Sequence, residues 1–171
     1  MSVLKKSGLA GITCSIAVVI GIVLSNGNVH TSKAGLELIG NAESCRLEPY
    51  LCPANVWTDG IGNTHGVNPG VRKTVDQVAA DWERNILDAE KCVIRYANGD
   101  KLPQGAFDAA VSITFNAGCG AMQKSTMFMR LREGRIADAC NQFPRWVFVN
   151  GVKSRGLEIR RVKERALCLS N

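Results

Sequence analysis

Residues 56–99, VWTDGIGNTHGVNPGVRKTVDQVAADWERNILDAEKCVIRYANG, change their period halfway along. In the first half, Val56-Trp57-Thr58 and Ile61 flank a turn at Asp59-Gly60, which predicts short strands. In the second half, Thr74-Val75-Asp76-Gln77 forms a capping box, a Thr hydroxyl and a Gln amide answering each other's backbone N–H groups. It opens a long helix in which Val75, Val78, Ala79, Trp82, Ile86, Val93 and Ile94 recur at helical spacing, with Asn98-Gly99 as its stop. A short β segment leading into a long amphipathic helix sets the fold class as α+β.

Working outward, residues 34–43 read as a short helix, and residues 46–70 are rich in Gly, Pro and Asn with little helical period. Pro103 suits the first turn of another helix, with Phe107, Ala110, Val111 and Thr114 inward and Gly118 as its end. Further helices are expected near 125–133, 135–143 and 154–168. The chain has no internal repeat and no low-complexity linker. The expected architecture is a small β-containing lobe packed on a helical lobe, and a cleft between two lobes suits an extended polymer. Trp57 and Trp146 are expected in the core.

At 171 residues the chain is long enough for a buried core, and its ordinary apolar and charged fractions argue against disorder. The net charge of +6 favours an anionic partner: nucleic acid, a lipid surface or an acidic wall polymer. Arg155, Arg160, Arg161, Lys163 and Arg165 crowd one C-terminal stretch, which reads as a solvated helix face. The seven cysteines form no Cys-x-x-Cys pair and no Cys/His zinc pattern, so no metal and no cofactor are expected. Disulfides in an oxidising compartment remain, and an odd count leaves at least one thiol unpaired.

Lys5 and Lys6 precede an apolar run from about Leu9 to Leu24, which keeps the N-terminus cytoplasmic and sends the rest outward. A cleaved signal peptide would fit, with Ser25-Asn26-Gly27 as a weak cleavage site. An uncleaved anchor is the alternative. At about 16 apolar residues, diluted by Gly8, Gly11, Thr13, Ser15 and Gly21, it is short of the roughly 20 that span a bilayer comfortably. Composition alone tilts slightly toward cleavage.

Glycoside hydrolysis needs an acid for the leaving oxygen and a second group that activates or holds water. Glu43 ends the first helix, and Cys52 and Thr58 follow at intervals of nine and six. Singly, they read as an exposed glutamate, a half-cystine and a strand threonine. The spacing, however, resembles the phage-type lysozymes, glycoside hydrolase family 24, marked by Glu, Asp and Thr at these intervals. The resemblance runs from about Leu36 to Leu167, through ELIGNAES around Glu43, VWTDGIG around Thr58, SITFNAGCGAMQKST at 112–126, PRWV at 144–147 and GLEIRRVKERAL at 156–167.

Two positions depart from that pattern. Cys52 stands where the family has aspartate, and Asn63 where a histidine is common, leaving His65 a structural or exposed residue. Cysteine in place of the aspartate is similar to a thiol-regulated subgroup, the signal-anchor-release endolysins, in which the N-terminal segment is an uncleaved, weakly hydrophobic anchor. That resemblance reverses the preference for cleavage. It divides the chain into an anchor, 1–29, and a lysozyme-like catalytic domain, 30–171. It implies Glu43 as general acid, with Cys52 and Thr58 orienting or activating water, and Asn116 in the cleft against a sugar acetamido group, although Asn116 also fits a turn contact before Gly118.

The same resemblance implies a switch among Cys14, Cys45 and Cys52, which can form one bond at a time. A Cys45–Cys52 bridge would silence the catalytic sulfur while Cys14 is shielded in the bilayer. After release, Cys14 attacks sulfur 45 and frees Cys52. The remaining four cysteines are expected to pair as Cys92–Cys168 and Cys119–Cys140, one of three connectivities. The expected partners are peptidoglycan and, before release, the host inner membrane, crossed once with the catalytic domain in the periplasm. No nucleic acid and a monomer are expected. The rivals are an exported wall-binding protein without activity, a holin-like membrane protein, and a transglycosylase that leaves anhydro sugars.

Overall fold

The computed structural model describes residues 13–170; Lys5, Lys6 and the start of the apolar run lie outside the described residues. Helix α1, Ile16–Asn26, is capped at its start by the Ser15 hydroxyl and at its end by Gly27 in the left-handed region. Helix α2, Lys33–Glu43, follows after a short extended segment. The β-lobe comes next: β1, Arg46–Leu51, pairs antiparallel with β2, Trp57–Gly60, through Tyr50↔Thr58 and Leu51↔Trp57. Their register shifts between Arg46 and Tyr50, where Pro49 has no N–H to offer the ladder.

Helix α3, Val75–Ala97, starts at the Thr74/Gln77 capping box and ends at Asn98. Helix α4, Gln104–Ala117, begins directly after Pro103. The short helices α5, Cys119–Met122, α6, Thr126–Arg132, and α7, Ile136–Cys140, wrap the helical lobe. A two-residue hairpin, β3 (Phe148–Val149) with β4 (Val152–Lys153), precedes the last helix, α8, Arg155–Cys168. The architecture is a lysozyme-like α+β fold.

The core is centred on α3 and α4, with Trp82, Ile86 and Val93 from one and Ala106, Ala110, Val111 and Ile113 from the other. Ile94 departs from the helical pattern and is 38% exposed, because α3 turns that edge to solvent. Trp57 is not in the core either; it lies on the outward side of a two-stranded edge. Trp146 is half-buried against the core margin.

Helix α1 belongs to the same core. Val19, Ile20 and Val23 are buried against α2 and α3, each supplying about 1.5–3 kcal/mol of apolar transfer. Gly40 on α2 admits Ile16, whose methyl would lie 2.8 Å from a Cβ at position 40. Among the described residues no helix is long and apolar enough to cross a membrane.

The segment after α1 is held by three buried carboxylates. Glu83 accepts from the amides of Asn26 and Asn28, both at 2.6 Å. Glu90 accepts from the backbone N–H groups of His30 (2.8 Å) and Thr31 (2.7 Å) and from the Thr31 hydroxyl (2.7 Å). Asp108 accepts from the backbone N–H and the hydroxyl of Ser32. Such bonds satisfy charges that burial would otherwise penalise heavily.

The disulfides correct the expected pairing: Cys92 bonds Cys119 and Cys140 bonds Cys168. The end of α4 comes to rest against the middle of α3, where Gly118 and Cys119 share a small cavity with Asn85, Asp88 and Ala89. That crossing brings Cys119 to Cys92. Helix α7 packs on α8, leaving Cys140 for Cys168. Cys14 is bonded to Cys45, tying the start of α1 to the turn after α2, and Cys52 is a free thiol.

Candidate active site

Glu43 is the last residue of α2, and the chain leaves it through Ser44 at φ 61°, a left-handed conformation that swings directly into β1. The β-lobe returns to the same carboxylate at Gly62. A Cβ there would lie 2.9 Å from Glu43 Oε2, and its φ is +67°, so both space and backbone require glycine.

The turn that carries Gly62 is fixed to α3. Asp59 and Asn63 exchange backbone hydrogen bonds at 2.9 Å. Asn63 is buried, donates to Asp59 Oδ1 (2.8 Å) and the His65 carbonyl (3.0 Å), and accepts from Arg84 and Asn85 of α3. Lys73 pairs with Asp59 and Asp81, and although burial works against its charge, those acids raise its pKa. The Asn63 side chain is consumed in holding this turn, and His65 is exposed beside it.

Cys52 sits at the head of a tight turn between β1 and β2, in which its N–H donates to the Val56 carbonyl and its carbonyl accepts from Asn55. Its thiol pKa is lowered, chiefly by the Val56 backbone hydrogen bond, with help from Ala54 and the Thr58 hydroxyl outweighing desolvation. Thr58 is buried and also donates to the Val56 carbonyl at 3.0 Å. Tyr50, the cross-strand partner of Thr58, has its pKa raised by burial, opposed by Arg46, with Glu43 and Cys52 adding to the rise. Tyr50 therefore lies within electrostatic reach of both Glu43 and Cys52.

On its other side Glu43 opens onto a cleft of ≈ 690 Å³ shared with Pro53, Asn116 and Arg160. Asn116 is thus a wall residue of the space beside Glu43, and its carbonyl oxygen accepts from Arg161 at 2.8 Å. The structure brings Glu43 and Asn116 to one cleft; Cys52 precedes Pro53 of its lining, and Thr58 lies on β2, neither lining the cleft itself. Cys14 and Cys45 lie together behind α2. Cys92, Cys119, Cys140 and Cys168 brace the helical lobe. Among the described residues no group of acids, histidines and cysteines is arranged to hold a metal.

The expected solvated face of α8 is instead partly interior. Arg160 is 8% exposed, Arg161 2% and Glu164 0%. Arg160 pairs with Glu43 through Nη1 and with Glu164 through Nε at 3.1 Å, and Arg161 pairs with Glu164 at 2.6 Å. Burial pulls the Arg161 guanidinium down to about 10, still charged at neutral pH, and pushes the Glu164 carboxyl up. Glu164 lies between the two guanidiniums and Glu43 meets Arg160 from the cleft side, so these buried cations have acidic partners, which buried charges need. The sequence signal was the alternation itself: Arg160, Arg161 and Glu164 share one face, while Ile159 (47%) and Val162 (69%) are the exposed ones.

The comparisons with known proteins agree with this geometry. Residues 40–164 match the phage lysozyme family model. The SAR-endolysin of Escherichia phage P1 is 51% identical over 177 aligned residues, covering 97% of this chain and 96% of that one. A crystal structure of the active form of P1 phage endolysin Lyz superposes with a TM-score of 0.90 at 53% identity, covering 94% of this chain and 96% of that one. The secreted inactive form of the same endolysin gives a TM-score of 0.60 at 51% identity, over 82% of this chain and 96% of that one. From its central strands to its last helix, then, this chain belongs to the phage lysozyme family.

Proposed function

We propose that this chain is a phage endolysin, a muramidase that hydrolyses the β-1,4 bond between N-acetylmuramic acid and N-acetylglucosamine in peptidoglycan and so lyses the host. The observation that carries the reading is Glu43 at the junction of the lobes, packed on Gly62 and open to the cleft that Asn116 lines.

In this reading Glu43 gives its proton to the glycosidic oxygen as the bond to the sugar breaks. Cys52 and Thr58 hold the attacking water on the other side. The lowered thiol pKa supports a sulfur that carries negative charge more readily than an ordinary cysteine, the role a carboxylate has elsewhere in the family. Asn116 meets an acetamido group, held by Arg161 so that its amide N–H₂ is directed away from the guanidinium. The net charge of +6 draws the enzyme to an anionic wall.

Residues 1–29 are read as an anchor in the host inner membrane, with 30–171 in the periplasm and a Cys45–Cys52 bridge keeping the enzyme silent. On release, residues 16–26 become α1, Cys14 takes Cys45, and Cys52 is freed. The likeness to the structure described as active, well above that to the one described as inactive, supports placing the present arrangement at the end of that sequence.

The test is clearing of purified cell walls by the full chain and by Glu43→Gln. Loss of clearing, with products ending in a reducing sugar, is expected. Clearing by the variant would leave only a wall-binding protein, and anhydro products would mean a transglycosylase. Non-reducing peptide mapping of membrane-bound and released chains tests the switch; the same bridges in both would end it.

A further inference from the structure

Glu164 is a buried acid that the reaction itself does not use. It is 0% exposed and carries more donors than a counter-ion needs. Its Oε1 accepts from the Ser112 hydroxyl (2.6 Å), Arg160 Nε (3.1 Å) and Arg161 Nη2 (3.2 Å), and its Oε2 lies 2.6 Å from Arg161 Nε. Both guanidiniums therefore rest on one carboxylate, and their remaining N–H bonds diverge. Arg160 Nη1 goes to Glu43, while its Nη2 is steadied by the Ser112 carbonyl at 3.3 Å. Arg161 Nη2, the nitrogen already on Glu164 Oε1, also donates to the Asn116 side-chain oxygen at 2.8 Å.

A guanidinium is planar and rigid, so fixing it against one carboxylate fixes where its other N–H bonds point. We infer that Glu164 is a positioning residue with two outputs: it sets the pose of the Glu43 carboxylate through Arg160 and the pose of the Asn116 amide through Arg161. The first output acts on the acid's alignment with the leaving oxygen, which governs kcat. The second acts on a wall residue of the cleft, which governs sugar binding. The inference rests on Glu43 being the acid and Asn116 a binding residue.

A passive structural role and a two-output role differ in how kcat and KM divide. Each variant is assayed on soluble, uncrosslinked glycan strands at a temperature where thermal unfolding shows it fully folded. Glu164→Gln keeps the shape and removes the charge. It is expected to lower kcat about tenfold to a hundredfold, the effect of a misaligned reacting group. KM should rise about threefold to tenfold, the worth of one polar contact. In an Asn116→Ala background the KM increase should vanish while the kcat loss persists.

Arg161→Lys keeps the charge but loses the fork, and should raise KM alone. Arg160→Lys should lower kcat alone. These two carry the test if Glu164→Gln does not fold. Folded Glu164→Gln with wild-type constants overturns the inference, as does a KM increase unchanged by Asn116→Ala. So do lysine variants that each move both constants or neither. Failure of the muramidase reading itself shows separately, as wall clearing by Glu43→Gln.

Discussion

Two groups of acids are satisfied by different chemistry: the buried Glu83, Glu90 and Asp108, and the pair formed by Glu43 at the cleft and Glu164 in the interior. Glu83, Glu90 and Asp108 receive mostly neutral donors, amides and hydroxyls from residues 26–32 and the Gln104 amide, and the His30 ring lies 3.3 Å from Glu90. Glu43 and Glu164 are met by two guanidiniums from α8. The difference bears on permanence. Neutral donors supplied mainly by one contiguous segment arrive or leave together with that segment. A group held by ion pairs cannot lose a buried member without leaving its partner's charge unanswered in the interior.

The sharpest way to break this contrast is Arg160→Met, which leaves two carboxylates for one guanidinium. A loss of about 3–5 kcal/mol in denaturant unfolding is expected. A loss near zero would place the group in a wetter environment than its burial implies. Next, Glu90→Gln keeps the volume but weakens three hydrogen bonds, and should cost about 1–3 kcal/mol by the same measurement. A cost equal to that of Arg160→Met would erase the distinction.

Asn26→Ala with Asn28→Ala removes both donors to Glu83. Each is expected to cost about 0.5–1.5 kcal/mol, read as faster amide hydrogen exchange in α1 with no change in α8. Equal acceleration in both helices would mean that the two acid groups open as one unit.

The smallest effect concerns Cys52, which touches neither group. Its thiol pKa is lowered by the Val56 backbone, so thiolate persists to lower pH than in an ordinary cysteine. Alkylation by iodoacetamide should therefore stay fast as pH falls below the usual thiol range, with a midpoint unmoved in Arg160→Met. A midpoint at or above that of free cysteine would contradict the hydrogen-bonded sulfur.

The sequence disclosed whatever local rules govern. The Thr74/Gln77 box starts α3 where expected and Pro103 starts α4, but Asp59 and Gly60 belong to β2 and the turn falls one step later, at Ile61-Gly62, because Asp59 pairs with Asn63. The intervals separating Glu43, Cys52 and Thr58 carried meaning only through the resemblance to phage-type lysozymes, since each residue alone read as a surface acid, a half-cystine or a strand threonine. Features set by how helices cross were not legible. The pairing of Cys92 with Cys119 depends on where α4 meets α3, which no local pattern encodes. Arg160 and Arg161 looked solvated because charge normally marks the outside, and Trp57 looked interior because size and hydrophobicity normally mark the inside. In both places the surroundings outweighed residue type: a carboxylate waiting in the interior for the arginines, a bare sheet edge for the tryptophan.

Helix α8 follows a rule opposite to that of an ordinary surface helix. A hydropathy-guided redesign would protect Val162 and treat Arg161 and Glu164 as free, yet Val162 is 69% exposed and the other two are sealed. Polar recoding of position 162 should be tolerated, whereas trading Glu164 for leucine would leave Arg161 without its acid and Arg160 with Glu43 alone. Any library built on this protein should therefore freeze the charges of its last helix and diversify the outward hydrocarbon.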